Sequence, residues 1–172
     1  MKYILLHGLR QTPISWEKVF GHFVHSTDLL CPNLFSFIER ADTDYSTLYR
    51  AFSEYRNAFD EPLNLCGLSL GGVLALHYCI DHPEKVHSLV LIGTRYTMPK
   101  VLLNIQNLIF RLMPANIFGR LGLHKRDVIH FSQSMKDSNF ENSLSKVHQP
   151  VLVVCGKKDR LNIKSAHRQT AQ

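Results

Sequence analysis

Two patterns of apolar residues alternate along the chain. Residues 3–6, 29–31, 63–66, 86–92 and 151–155 are short, mainly apolar runs, the third broken by Asn64 and the fourth by His87-Ser88, each followed closely by Gly, Pro or Asn. Between them apolar positions recur at helical spacing. Ile14, Trp16, Val19, Phe20 and Phe23 predict a helix over 13–23, entered through Thr12-Pro13. Leu48, Ala51, Phe52, Tyr55 and Phe59 form one stripe of a second helix, capped by Thr43 or Asp44. Val73, Leu74, Leu76, Tyr78 and Ile80 predict a third, which stops before Asp81-His82-Pro83. Uninterrupted apolar runs suit strands buried on both faces. Strands alternating with helices therefore imply an α/β fold with a mostly parallel, doubly wound sheet.

Residues 95–149 break this rhythm. Val101, Ile105, Leu108 and Leu112 fall on one helical face with Leu102 and Ile109 beside them, and Met113-Pro114 ends that helix. Phe118, Leu121, Leu123, Val128, Ile129 and Phe131 continue a short apolar region. The expected organisation is a core over 1–94, a small helical lid over 95–149, and the last strand and helix of the core over 150–172. Leu102, Ile105, Ile109 and Arg111 are the expected pocket-facing residues of the lid.

Charge sharpens this division. Of the net +6, the whole excess lies between Arg95 and Arg126, where six Lys/Arg meet no Asp or Glu. A basic lid suits an anionic group or a solvated surface, and with few aromatics among the charges it does not suggest nucleic-acid binding. Cys31, Cys66, Cys79 and Cys155 show no CxxC or zinc spacing, so free thiols are expected and no metal. No apolar run reaches membrane-spanning length, and the first strand is too short for a signal segment, which points to the cytoplasm.

The chemistry concentrates at Gly67-Leu68-Ser69-Leu70-Gly71-Gly72. A strand, a Gly-flanked Ser and a helix, in that order, are the context of a nucleophile elbow. In parallel sheets ligands bind beyond the carboxyl ends of the strands. His7-Gly8, Ser69, Thr94 and Asp159 all follow apolar runs and so fall at that edge.

With Leu5-Leu6-His7-Gly8 early, the elbow central, and Val153-Val154-Cys155-Gly156-Lys157-Lys158-Asp159 late, the sequence resembles the α/β-hydrolase superfamily, in particular its small lidded esterase and aminopeptidase-like members. Asp81-His82-Pro83-Glu84-Lys85-Val86 is similar to that family's link from the elbow helix to the next strand. The resemblance implies a serine hydrolase of small-molecule esters or related acyl substrates, without cofactor. It implies Ser69 as nucleophile, Asp159 as the acid that orients a histidine, and the backbone N–H groups of Leu9 and Leu70 as the oxyanion hole.

The family order is Ser, Asp, His, and here only 13 residues follow Asp159. They suffice for one helix, so the final strand and its histidine loop are expected to be missing, a C-terminal truncation. His167 is the one histidine after Asp159 and is the candidate base; His124, His130 and His148 are weaker candidates. Three accounts stay open: a truncated hydrolase with weak turnover, an enzyme whose histidine comes from another chain, and a non-catalytic binding protein. A missing last strand would leave 151–155 as an apolar edge, with homo-oligomerisation through it expected.

Overall fold

A computed structural model describes residues 1–22, 28–38, 43–98, 100–114 and 124–156, with the side chains of residues 100–102 outside the description. Five strands form one parallel sheet: β1 (Tyr3–Leu6), β2 (Leu29–Leu30), β3 (Leu63–Leu68), β4 (Val86–Ile92) and β5 (Val151–Val154), in the order β2-β1-β3-β4-β5. The described helices are α1 (Glu17–Phe20), α2 (Tyr45–Asn57), α3 (Leu70–Asp81), α4 (Lys100–Leu112) and α5 (Lys125–Ser134). They flank the sheet or belong to a second compact unit. The sheet unit comprises residues 1–33, 59–96 and those from 140 on; the helical unit comprises 34–58 and 97–139.

In the sheet unit the apolar runs behave as their composition demands. Ile4, Leu5 and Leu6 of β1 and Leu63 and Leu65 of β3 are buried. Asn64, which interrupts the third run, is buried too and earns its place by hydrogen bonding. Its backbone N–H and Nδ2 donate to the Lys2 carbonyl at 3.1 and 3.3 Å, and Ser88 Oγ donates to its Oδ1 at 2.7 Å. One polar side chain thus stitches the starts of three neighbouring strands. Helix α3 buries nearly every residue from Leu70 to Ile80 and packs on β1, β3 and β4. That is why its apolar residues form no clean stripe.

Two expectations need correction here. The helix expected over 13–23 is a 3-10 turn at Pro13–Trp16 followed by the single-turn α1, with residue 23 outside the described part. Trp16 is its one buried residue, and Ile14 is exposed. Strand β5 is not covered on both faces by the described residues, since Leu152 and Val154 are 59% and 41% exposed.

The helical unit has its own core. Asp44, rather than Thr43, caps α2: its Oδ1 accepts from Thr47 N–H at 2.7 Å. Leu48 and Phe52 of α2, Leu103 and Phe110 of α4, and Val128 and Phe131 of α5 are buried. The Phe131 ring meets Phe35 and Tyr45 edge-on, centroids 5.7 and 6.4 Å apart. Lys125 Nζ donates to the Arg111 carbonyl and, at 2.9 Å, to that of Met113, satisfying the last carbonyls of α4. The stripe read from the sequence is not the one that packs in this unit. Ile105, Leu108, Ile109 and Leu112 are each more than half exposed, while Leu103, Asn107 and Phe110 carry the packing. No described helix is long and apolar enough to cross a membrane.

Candidate active site

The register of the sheet brings the singled-out residues together. Leu6, the last residue of β1, lies opposite Gly67 of β3, and Leu68 of β3 lies opposite Ile92 of β4. The chain therefore leaves β1, β3 and β4 at one edge, with His7-Gly8-Leu9, Ser69 and Gly93-Thr94 side by side. Strand β5 reaches the same edge, where Gly93 N–H donates to the Val154 carbonyl at 2.8 Å.

Ser69 stands between β3 and α3 with φ 53° and ψ −109°. This conformation costs a non-glycine residue about 1–3 kcal/mol and persists only when its surroundings enforce it. They do so here by close packing. A methyl on Gly71 would collide with the Leu6 carbonyl, and one on Gly72 with the Thr94 hydroxyl. A methyl on Gly67 would strike the Gly71–Gly72 peptide. The first turn of α3 is thereby pressed onto the ends of β1 and β4. Ser69 N–H is fixed by donating to the Ile92 carbonyl at 2.8 Å.

This geometry leaves the Ser69 side chain exposed, without a capping hydrogen bond to its own helix. The first hydrogen bond of α3 runs from Val73 N–H to the Ser69 carbonyl, 3.0 Å. Leu70 N–H therefore has no acceptor within the helix and sits at the positive end of its dipole. Across from it, Gln11 N–H donates to the Gly8 carbonyl at 3.1 Å and closes a turn with Leu9 and Arg10 at its corner. Leu9 N–H takes no part in that closure. An exposed serine hydroxyl at the start of a helix can attack a carbonyl carbon, and N–H groups without an acceptor among the described residues can hold an oxyanion.

His7 is fully buried under this loop. Its Nδ1 lies 3.0 Å from the Gly8 carbonyl, which can only accept, so Nδ1 carries the proton. Burial pushes its pKa below 6.5, against the opposing pull of hydrogen bonds to Gly8 and Asn33, so it is neutral at physiological pH. Other histidines are engaged elsewhere. His124 caps α5, His130 Nδ1 donates to the Thr43 carbonyl at 3.1 Å, and His77 Nε2 lies 3.5 Å from Asp81. Burial raises Cys31 and Cys66 to about 11 and Cys79 to about 12, so these thiols stay protonated. Among the described residues no cluster of His, Cys, Asp or Glu is placed to hold a metal ion.

A family model of the alpha/beta hydrolase fold matches residues 4–120, well over half of the 172-residue chain. The chain belongs to the alpha/beta hydrolase fold family. Its solved relatives in fold include the enol-lactonase of Burkholderia xenovorans LB400, with a TM-score of 0.78, 13% identity, and 98% of this chain and 78% of the other covered. A hydrolase from Pseudomonas aeruginosa PA01 gives a TM-score of 0.75 at 13% identity over 98% and 77% of the two chains. These likenesses concern the fold alone. In sequence, this alpha/beta hydrolase is 29% identical over 96 residues to the pimeloyl-[acyl-carrier protein] methyl ester esterase of Aeromonas hydrophila. The matched stretch is 53% of this chain and 37% of the esterase, so the chain spans little more than a third of that relative.

Of the residues singled out from the sequence, the alpha/beta hydrolase fold gathers Ser69, Leu70 and Leu9 at one edge. Asp159 and His167 lie outside the described residues. Ile105, Ile109 and Arg111 are exposed on α4 in the helical unit, and Leu102 is described only as part of that helix. Sequence reasoning missed Arg10 and Gln11, which shape the Leu9 turn. Arg10 has a φ of 64°, and nothing in an arginine announces a left-handed backbone.

Proposed function

We propose that this chain is a serine hydrolase acting on a carboxylic ester or related acyl substrate, with Ser69 as nucleophile. The observation that carries the reading is the strained, exposed Ser69 held by three close-packed glycines at the start of α3. Ser69 Oγ adds to the acyl carbon, and the oxyanion accepts from Leu70 and Leu9 N–H. Collapse expels the alcohol and leaves an acyl-serine, which water then hydrolyses. A histidine oriented by Asp159 takes the Ser proton and returns it to the leaving alcohol. Asp159 lies three positions after Gly156, the last described residue. His167 is the candidate for that base. The esterase activity named for the Aeromonas relative supports an ester as substrate.

The test is hydrolysis of a short-chain p-nitrophenyl ester by wild type and Ser69→Ala over a range of protein concentrations. Activity that vanishes in Ser69→Ala is expected. A rate rising more than linearly with concentration would assign the base to a second chain, and a linear rate would direct attention to His167→Ala. Equal, background rates for both proteins would reduce the elbow to a feature of the fold and make the chain a binding protein.

A further inference from the structure

Resting on that reading, the geometry points to Gln11 as the residue that aims the Leu9 N–H at the oxyanion, by gripping both peptide units that flank Gly8. Its backbone N–H donates to the Gly8 carbonyl at 3.1 Å. Its side-chain Oε1 accepts from Gly8 N–H at 2.7 Å. The Gly8 carbonyl and the Leu9 N–H belong to one planar trans peptide, so they point in opposite directions. Pinning the oxygen therefore sets the direction of the N–H. His7 Nδ1, 3.0 Å away on the same oxygen, is the second pin. The loop lies against the elbow, because a Cβ on Gly8 would be 3.3 Å from the Leu68 carbonyl as well as against Gln11 Oε1.

The clamp also explains an otherwise costly feature. Arg10 follows Leu9 in the turn with φ 64°, a conformation that side chains with a Cβ resist. A turn with positive φ at its third position prefers Gly there, and an Arg stays only if neighbouring bonds enforce the shape. Both Gln11 bonds close across Arg10 and supply that enforcement. Gln11 is thus a positioning residue that makes no contact with substrate.

The experiment compares the full chain with Gln11→Met, which keeps length and loses the acceptor, and with Gln11→Met in an Arg10→Gly background. The readouts are the rate of Ser69 labelling by a fluorophosphonate, the kcat and KM for a p-nitrophenyl ester, and the melting temperature. Removing an oxyanion donor outright lowers kcat by about 10²–10³-fold, and misaiming one should lower it by at least about tenfold. Gln11→Met is expected to lose that much in kcat and labelling rate, with KM and melting temperature unchanged. Gly at position 10 should recover most of it, since it adopts the turn without enforcement. Unchanged labelling in Gln11→Met overturns the inference and leaves Ser69 as nucleophile. A loss that tracks a lowered melting temperature, or that Gly at position 10 does not recover, makes Gln11 a general structural residue and also overturns it. Absence of labelling in wild type itself removes the nucleophile, and the inference with it.

Discussion

Ser69 and Arg10 are the two described non-glycine residues with φ in the left-handed region, and they stand on adjacent loops at one sheet edge. Backbone strain at two neighbouring points is enforced by contacts that single atoms decide. Gly71→Ala puts a methyl into the Leu6 carbonyl and should destabilise the chain by about 1–3 kcal/mol. Gly21→Ala, with nothing within 4 Å of the added carbon, should change stability little. Urea unfolding of the two variants checks the contrast, and equal midpoints would refute the steric account of the elbow. Titration adds a second test at this scale. His7 and His77 have pKa values lowered chiefly by burial, so the unfolded chain binds their protons first as pH falls. Stability should be full above about pH 6.5 and decline below it, toward the folded pKa values. Urea midpoints on either side of that pH measure the slope, which should shrink in His7→Gln.

Among the helices, the two kinds of burial call for different sequences. Helix α3 is buried nearly all round and depends on tight glycine contacts at its start. Helix α2 is amphipathic and depends on a cap. Asp44 accepts from Thr47 N–H at 2.7 Å and from Ser46 Oγ at 2.8 Å, and the Thr47 bond is the largest cause of its lowered pKa. Asp44→Ala should cost about 1 kcal/mol at neutral pH. A carboxylate stabilised in the folded state contributes above its unfolded pKa, so the difference should fade as pH drops through the folded Asp44 value, below 3.8. Thermal melts of both proteins across acid pH test this. Helix α4 shows where periodicity misleads. Its two apolar faces, Leu103 with Phe110 and Ile105 with Leu108, Ile109 and Leu112, are equally legible in sequence. Spacing cannot say which one its neighbours will cover.

For the molecule as a whole, β5 is the telling strand. It pairs with β4 on one side, has no described strand on the other, and exposes Leu152 and Val154. We propose self-association through this edge, because a strand with no described neighbour on one side and with exposed aliphatic side chains favours added strands. Light scattering at rising concentration should show assembly in wild type and less of it in Leu152→Lys. A monodisperse wild-type monomer at high concentration would sink the proposal.

By itself the sequence determined the parallel α/β architecture, the family, and the place of Ser69 between a strand and a helix. These follow from patterns local to the chain: apolar runs, helical spacing, and glycines at fixed offsets from a serine. The tertiary structure decided why each glycine is needed, since Leu6 and Thr94, which exclude a Cβ at Gly71 and Gly72, are remote in sequence. It also decided that Asn64 is a strand-to-strand tie and not a flaw in an apolar run, because its partners Lys2 and Ser88 come from neighbouring strands. The same holds for the Leu9 turn. A left-handed arginine and a glutamine clamp are set by hydrogen-bond directions, which exist only once the loop is folded against the elbow.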